Sequence, residues 1–168
     1  PSAVKNFLAA IAALPENFDT VICDLPARPD GLYRTLVPEA DKIIVVSMHT
    51  AVSIRAAEKT AIALHELCTG PKKPDMLLAV NGFRAKSAAR GDNAGLYDIL
   101  SRTKLPLIGV LPYDGALSEA QNKGLLAFET PRSAAFRQAV ENTARRLDGE
   151  NVRLFEGVRT GFSRTKLY

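Results

Sequence analysis

The sequence predicts an α/β fold, a parallel sheet with flanking helices. Three observations predict it. Short β-branched runs alternate with longer segments of helical periodicity. The runs are continuously apolar rather than alternating, as expected of strands covered on both faces in a parallel sheet. Strand, helix, strand, helix in sequence gives parallel neighbours joined by right-handed crossovers. The 168 residues are 46% hydrophobic and 24% charged, with a mean hydropathy of −0.02. That is a globular composition, too apolar and too weakly charged for disorder. No run approaches the ~18 apolar residues of a membrane span. Cys23 and Cys68 are too few for a disulfide framework, so a reducing compartment is expected.

The elements follow in order. Val4, Phe7, Leu8, Ile11 and Leu14 recur at helical spacing in a first helix. The chain starts at Pro1 rather than Met and opens directly into that helix, which reads as the inside of a longer protein. Asp19–Leu25, Lys42–Ser47, Met76–Val80 and Leu107–Leu111 read as four strands. Residues 53–68 place Ile54, Ala57, Ala61, Leu64 and Cys68 on one helical stripe, with Ser53 or Thr50 as the N-cap candidate and Gly70-Pro71 as the stop. Leu96, Ile99 and Leu100 mark a helix over 94–102, after Asp92-Asn93. A short helix over about 117–123 ends at Gly124. Thr130-Pro131 starts the last one, which carries Phe136, Ala139, Val140, Thr143 and Leu147. Residues 1–150 form the α/β domain and 151–168 a basic tail. The net charge of +4 falls wholly in residues 85–168, and the tail alone sets Arg153, Arg159, Arg164 and Lys166 against Glu156.

Ligands bind such sheets beyond the carboxyl ends of the strands. The residues there are Asp24-Leu25-Pro26-Ala27, Met48-His49-Thr50, Asn81-Gly82-Phe83-Arg84 and Pro112-Tyr113-Asp114-Gly115. Asp24, ending a strand, is placed to hold Mg²⁺ or orient a water, or else to cap the next loop. Asn81 offers a donor and an acceptor to an adenine edge, or else makes an Asx-turn before Gly82. Pro112, Tyr113 and Asp114 line the other side of a base, or else form a type I turn. His49 and His65 lack ligand partners at metal spacing and read as surface histidines. Cys23, mid-strand, reads as a core residue. No Ser-His-Asp set or paired-carboxylate motif is present.

The ordered set resembles the MinD/ParA family of deviant-Walker P-loop ATPases. Phe18–Ala27, an apolar run ending in Asp24-Leu25-Pro26-Ala27, resembles its Walker B and switch II strand. Ala40–Ser47 with Ser53-Ile54-Arg55 resembles its next strand and helix start. Leu77–Asn81 resembles the strand ending in an adenine-contacting Asn. Ile108–Asp114 with Leu117–Gly124 resembles its late Gly-x-x-Pro loop and the helix after it. The family often has Arg directly after the Asn; here Gly82-Phe83 precede Arg84. The P-loop itself, Gly-x-x-x-x-Gly-Lys-Ser/Thr, does not occur in these residues, nor does the strand before it. Gly70-Pro71-Lys72-Lys73 lacks its spacing and hydroxyl.

The resemblance implies the C-terminal portion of a P-loop NTPase-like protein that uses ATP and Mg²⁺. Asp24 is then the catalytic and metal-facing carboxylate, and Asn81, Pro112, Tyr113 and Asp114 hold adenine. It implies a homodimer that positions a cellular machine (a division site, plasmid, flagellum or pilus) through ATP hydrolysis, with a regulatory or cargo protein as partner. The implied location is cytoplasmic, with peripheral contact to the inner membrane through the 151–168 tail, where Leu154, Phe155, Val158 and Phe162 interleave with the basic residues. An alternative is a non-hydrolysing localisation module resembling CpaE/TadZ of pilus assembly, and a weaker one is a relative of dethiobiotin synthetase. Direct nucleic-acid binding has little support, because the basic residues are dispersed with no reading motif.

Overall fold

The structure, a computed structural model, describes residues 2–13, 18–26, 31–125 and 133–154. The chain divides into two compact units, residues 1–43 with 62–75 and residues 44–61 with 76–168.

The first unit contains helices α1 (Ser2–Ala13) and α2 (Gly31–Leu36), which contact each other, and the 3₁₀ turn Val37–Glu39. Its buried apolar residues include Tyr33, Leu36, Val37, Leu64 and Cys68. The Cys68 thiol faces the Val37 carbonyl at 4.0 Å, and burial raises its pKa. Lys72 binds the Glu39 carbonyl and pairs with Asp41 at 3.0 Å. This exposed pair is worth little by itself.

The expected strand Asp19–Leu25 does not form. Residues 18–26 have no regular secondary structure, and Ile22 is 89% exposed. A strand exists only within a ladder, and among the described residues this run has no hydrogen-bonded neighbour. Cys23 is therefore exposed and not a core residue.

Among the described residues the sheet has three strands in the order β1 (Lys42–Met48), β2 (Asp75–Phe83), β3 (Leu107–Pro112). Strands β2 and β3 pair in parallel, with Leu78 opposite Leu107 and Phe83 opposite Pro112. Leu78, Ala79 and Val80 of β2 and Ile108, Gly109 and Val110 of β3 are buried, as continuous apolar runs predict. Strand β1, at the sheet edge, departs from that reading: Val45 and Ser47 are buried while Ile44, Val46 and Met48 are exposed.

Helix α3 (Ala51–Leu67) joins β1 to β2. Its cap is Thr50, whose Oγ1 accepts the Ser53 N–H at 3.4 Å. Between β2 and β3 lie α4 (Ala85–Arg90), which the periodicity does not predict, and α5 (Leu96–Thr103). Gly95 precedes α5 and donates its N–H to the Asp98 carboxylate at 3.1 Å, half of a capping box. Beyond β3 come α6 (Gly115–Asn122) and α7 (Ala134–Leu147). Gly124 follows α6 at φ +71°, as expected of a helix stop. Thr130-Pro131 lies outside the described residues, and Ser133 is the residue before α7.

Helix α7 packs on β3. Gly109 permits the approach: a Cβ there would lie 2.9 Å from Thr143 Cγ2 and closer still to its Oγ1, which already donates to the Ala139 carbonyl. Beyond α7 the chain is tied back, because Asn142 Nδ2 donates to the Arg153 carbonyl and Arg146 to that of Val152. Of the tail 151–168, expected to contact membrane, residues 155–168 lie outside the described residues.

Gly109→Ala should lower stability by about 1–3 kcal/mol, the usual cost of overpacking. Thr143→Ala in the same chain should recover part of the loss, and a double-mutant cycle in urea measures the coupling. A fully additive cycle would contradict the close approach.

Candidate functional site

The site is built where β2 and β3 end side by side. The pairing shifts register between Val80 and Phe83, and Gly82 takes φ +63°, a bulge that only Gly adopts without strain. Strand β2 thus runs three residues further than its apolar run suggests, and Asn81 lies inside it, exposed to solvent. The Tyr113 N–H donates to the Phe83 carbonyl at 3.0 Å, which holds the two ends together past the last residue of β3.

Two side chains stack there. The Arg84 guanidinium carbon lies 3.5 Å from the centroid of the Tyr113 ring. At an exposed site such a pair is worth about 0.5–1 kcal/mol. Arg84 is exposed and Tyr113 is half-exposed, so cation and ring together form a flat, positively charged surface at the strand ends. Asp114 is spoken for: its Oδ1 accepts the Ala116 N–H at 2.9 Å as the N-cap of α6.

His49, expected on the surface, is 3% exposed. It follows β1, and its ring packs on Phe83 with centroids 5.0 Å apart. Its Nε2 accepts the Arg84 N–H at 3.3 Å, and its carbonyl accepts the Ala94 N–H at 3.2 Å. Burial lowers its pKa below 6.5; the Ala94 backbone opposes the shift and the Arg84 charge adds to it. His65 is exposed, as predicted.

The structure therefore brings Pro112, Tyr113 and Asp114 beside the end of the strand that carries Asn81. Asp24 belongs to the first unit, exposed in the irregular segment 18–26. Sequence reading missed His49 and the partner of Arg84. Both depend on the bulge at Asn81-Gly82, whose one signal is a glycine inside a strand pattern.

An amide, a guanidinium and a phenol ring at adjoining strand ends suit a nucleobase, which needs edge hydrogen bonds and a flat face. Among the described residues no group of three His, Cys, Asp or Glu side chains could hold a metal ion.

Comparisons with known proteins find relatives among MinD proteins. MinD of Bacillus subtilis, a septum site-determining protein, is 32% identical over 154 residues, covering 92% of this chain and 55% of that one. MinD of Synechocystis is 28% identical over 148 residues. Among solved structures, MinD of Aquifex aeolicus superposes with a TM-score of 0.72 at 28% identity, over 89% of this chain and 61% of that one. The MinC:MinD complex of the same organism gives 0.78 at 25% identity, over 90% and 61%. Its homologues are MinD proteins. The MinD/ParA resemblance and the α/β class with a parallel sheet are thereby borne out. No protein-family model matches the chain. The chain spans about half the length of the curated relatives it matches.

Asp114→Ala should cost about 1 kcal/mol of stability through the lost cap of α6. Asp114→Asn should cost far less, because its amide oxygen caps as well. Equal losses in urea unfolding would show that the negative charge, not the cap, matters.

Proposed function

We propose that this MinD-like chain supplies the base-binding part of an ATP site in a protein that positions the division site. The observation that carries the reading is the Arg84–Tyr113 stack, set beside exposed Asn81 at the ends of two parallel strands. In this reading the Asn81 amide pairs with the adenine edge, and the stack offers it a flat face. Pro112 and Tyr113 border the base through their backbone, and Asp114 acts by fixing the start of α6.

Phosphate binding is not accounted for by these residues. A P-loop holds phosphates with backbone N–H groups, and its Lys and hydroxyl manage charge and Mg²⁺. No such motif occurs in the 168 residues. Asp24 is the proposed carboxylate toward Mg²⁺ or the attacking water. ATP would be the substrate, with water attacking its γ-phosphate, and the protein's work is positioning and charge neutralisation.

Homodimerisation and a regulatory partner are part of the proposal. The matched complex, MinC:MinD, supports a protein partner for MinD-like surfaces. A non-hydrolysing localisation module is the second reading, favoured by the run Asp24-Leu25-Pro26-Ala27, which has no glycine after Ala27. Peripheral membrane contact through residues 151–168 is proposed on their composition alone. Among the described residues no helix is long and apolar enough to cross a membrane.

In the intact protein, Asp24→Ala should reduce ATP turnover strongly while leaving ATP affinity nearly unchanged, and Asn81→Ala should weaken ATP binding more than binding of inorganic triphosphate. Steady-state turnover with titration of both ligands checks this. Unchanged turnover in Asp24→Ala would remove the Asp24 assignment, and nucleotide binding without turnover in the wild type would favour the non-hydrolysing reading.

Removing residues 151–168 should abolish flotation with liposomes rich in anionic lipid. Equal flotation with and without the segment would remove the membrane assignment.

A further inference from the structure

His49 is a buried titratable group that no part of the proposed reaction uses, and two observations about it meet at the strand ends. Its Nε2 accepts the backbone N–H of Arg84, the residue whose guanidinium covers Tyr113. Its other ring nitrogen, Nδ1, is buried without a hydrogen-bond partner.

We propose that His49 is the positioning residue of this site: as a neutral imidazole carrying its proton on Nδ1, it holds the Arg84 backbone and so fixes the Arg84–Tyr113 surface that receives the base. The proposal rests on the nucleotide-binding reading above.

The tautomer follows from the bond. A nitrogen that accepts an N–H cannot carry a proton, so the ring proton sits on Nδ1. A second proton would have to go onto Nε2. There it would face the Arg84 N–H, donor against donor, and the imidazolium would stand beside the Arg84 guanidinium. The bond would break and the start of α4 would be released from it. Arg84 has no other described anchor on its N–H, and the stack on Tyr113 depends on where that backbone sits.

The charged group acting on His49 is Arg84, which disfavours the imidazolium. Phe83, against the ring, carries no charge, while the Ala94 backbone favours the protonated ring and opposes the shift. Among the described residues no carboxylate acts on the ring to stabilise a positive charge. Burial also favours the neutral form, so the folded pKa lies below the unfolded value of 6.5. The sign follows. The arrangement is fully present above about pH 6.5 and is lost as pH falls from there through the folded pKa.

The test uses the intact protein with a ribose-labelled fluorescent ATP analogue and Mg²⁺, titrated between pH 8 and pH 5. Three chains are compared: wild type, His49→Gln and His49→Leu. Gln reaches the Nε2 position with an acceptor that does not titrate, whereas Leu has none. At high pH His49→Leu should bind about tenfold more weakly, the worth of one hydrogen bond, and His49→Gln should retain most of the affinity. As pH falls, wild-type affinity should drop relative to His49→Gln; the ligand's own titration is common to both and cancels in their ratio. A ratio that does not change with pH overturns the proposal, and so does equal binding by all three chains.

The nucleotide-free protein separates this from the parent reading. Nitrogen-15 NMR should find the His49 proton on Nδ1, and the Arg84 amide resonance should shift with the His49 titration. If wild type binds no nucleotide yet these two signals appear, the nucleotide reading fails and the positioning role stands. A proton on Nε2, or an Arg84 amide indifferent to His49, overturns the role whether or not nucleotide binds, and also where His49→Leu merely unfolds.

Discussion

The structure depends on the parallel pairing of β2 with β3. That ladder buries Leu78, Ala79 and Val80 on one strand and Ile108, Gly109 and Val110 on the other. Burial on both faces needs a layer on each side, and helix α7 reaches its place because Gly109 has no Cβ to meet Thr143. The same ladder sets the chemistry. Because the strands run the same way and are held in register at Phe83 and Pro112, their carboxyl ends coincide, and the chain leaves both at one point. One backbone bond, Tyr113 to Phe83, extends that coincidence to Arg84 and Tyr113. A slip of one residue would turn Phe83 from the core and part Arg84 from Tyr113.

Buried polar groups mark where this packing serves something besides stability. Asn142 is 1% exposed and holds the Arg153 carbonyl, so the price of burying its amide is offset by anchoring the chain after α7. His49 is different. One ring nitrogen is satisfied by Arg84, the other by nothing. A leucine of similar size would bury as well and leave no orphan. A half-satisfied imidazole is tolerable where its accepting nitrogen fixes a functional backbone, and such sites are where local rules are expected to fail.

Much of the core was legible from sequence because continuous apolar runs and helical stripes report burial directly. The stripe of α3 is one case: Ile54, Ala57, Ala61, Leu64 and Cys68 are all buried. The strand ends were less legible. The apolar run of β2 stops at Val80, but the ladder continues to Phe83 through a bulge that exposes Asn81, so Asn81 sits within the strand rather than after it. Helix α4 has no buried residue and hence no apolar stripe to announce it. His49 was misjudged as a surface residue because a lone imidazole carries no periodicity; its burial comes from Phe83 and Arg84, distant in sequence.

The run Asp19–Leu25 shows the limit most sharply. Its Thr20-Val21-Ile22-Cys23 has the composition of a buried strand, as do Ile43–Val46 of β1, yet Ile22 is 89% exposed. Composition makes a segment able to enter a sheet; a neighbour with free N–H and C=O groups makes it a strand. Strand β1 states the same rule from the other side. It has β2 on one edge and keeps its form, but Ile44, Val46 and Met48 remain on an uncovered face. These two stretches are the ones resembling the Walker B strand and its successor, and they are also where apolar surface is left open. Asn81, Arg84 and Tyr113, by contrast, lie at or beside the ends of β2 and β3, which pair with each other and bury Leu78–Val80 and Ile108–Val110. Asn81, Arg84 and Tyr113 can therefore be argued from geometry, and Asp24 from sequence alone.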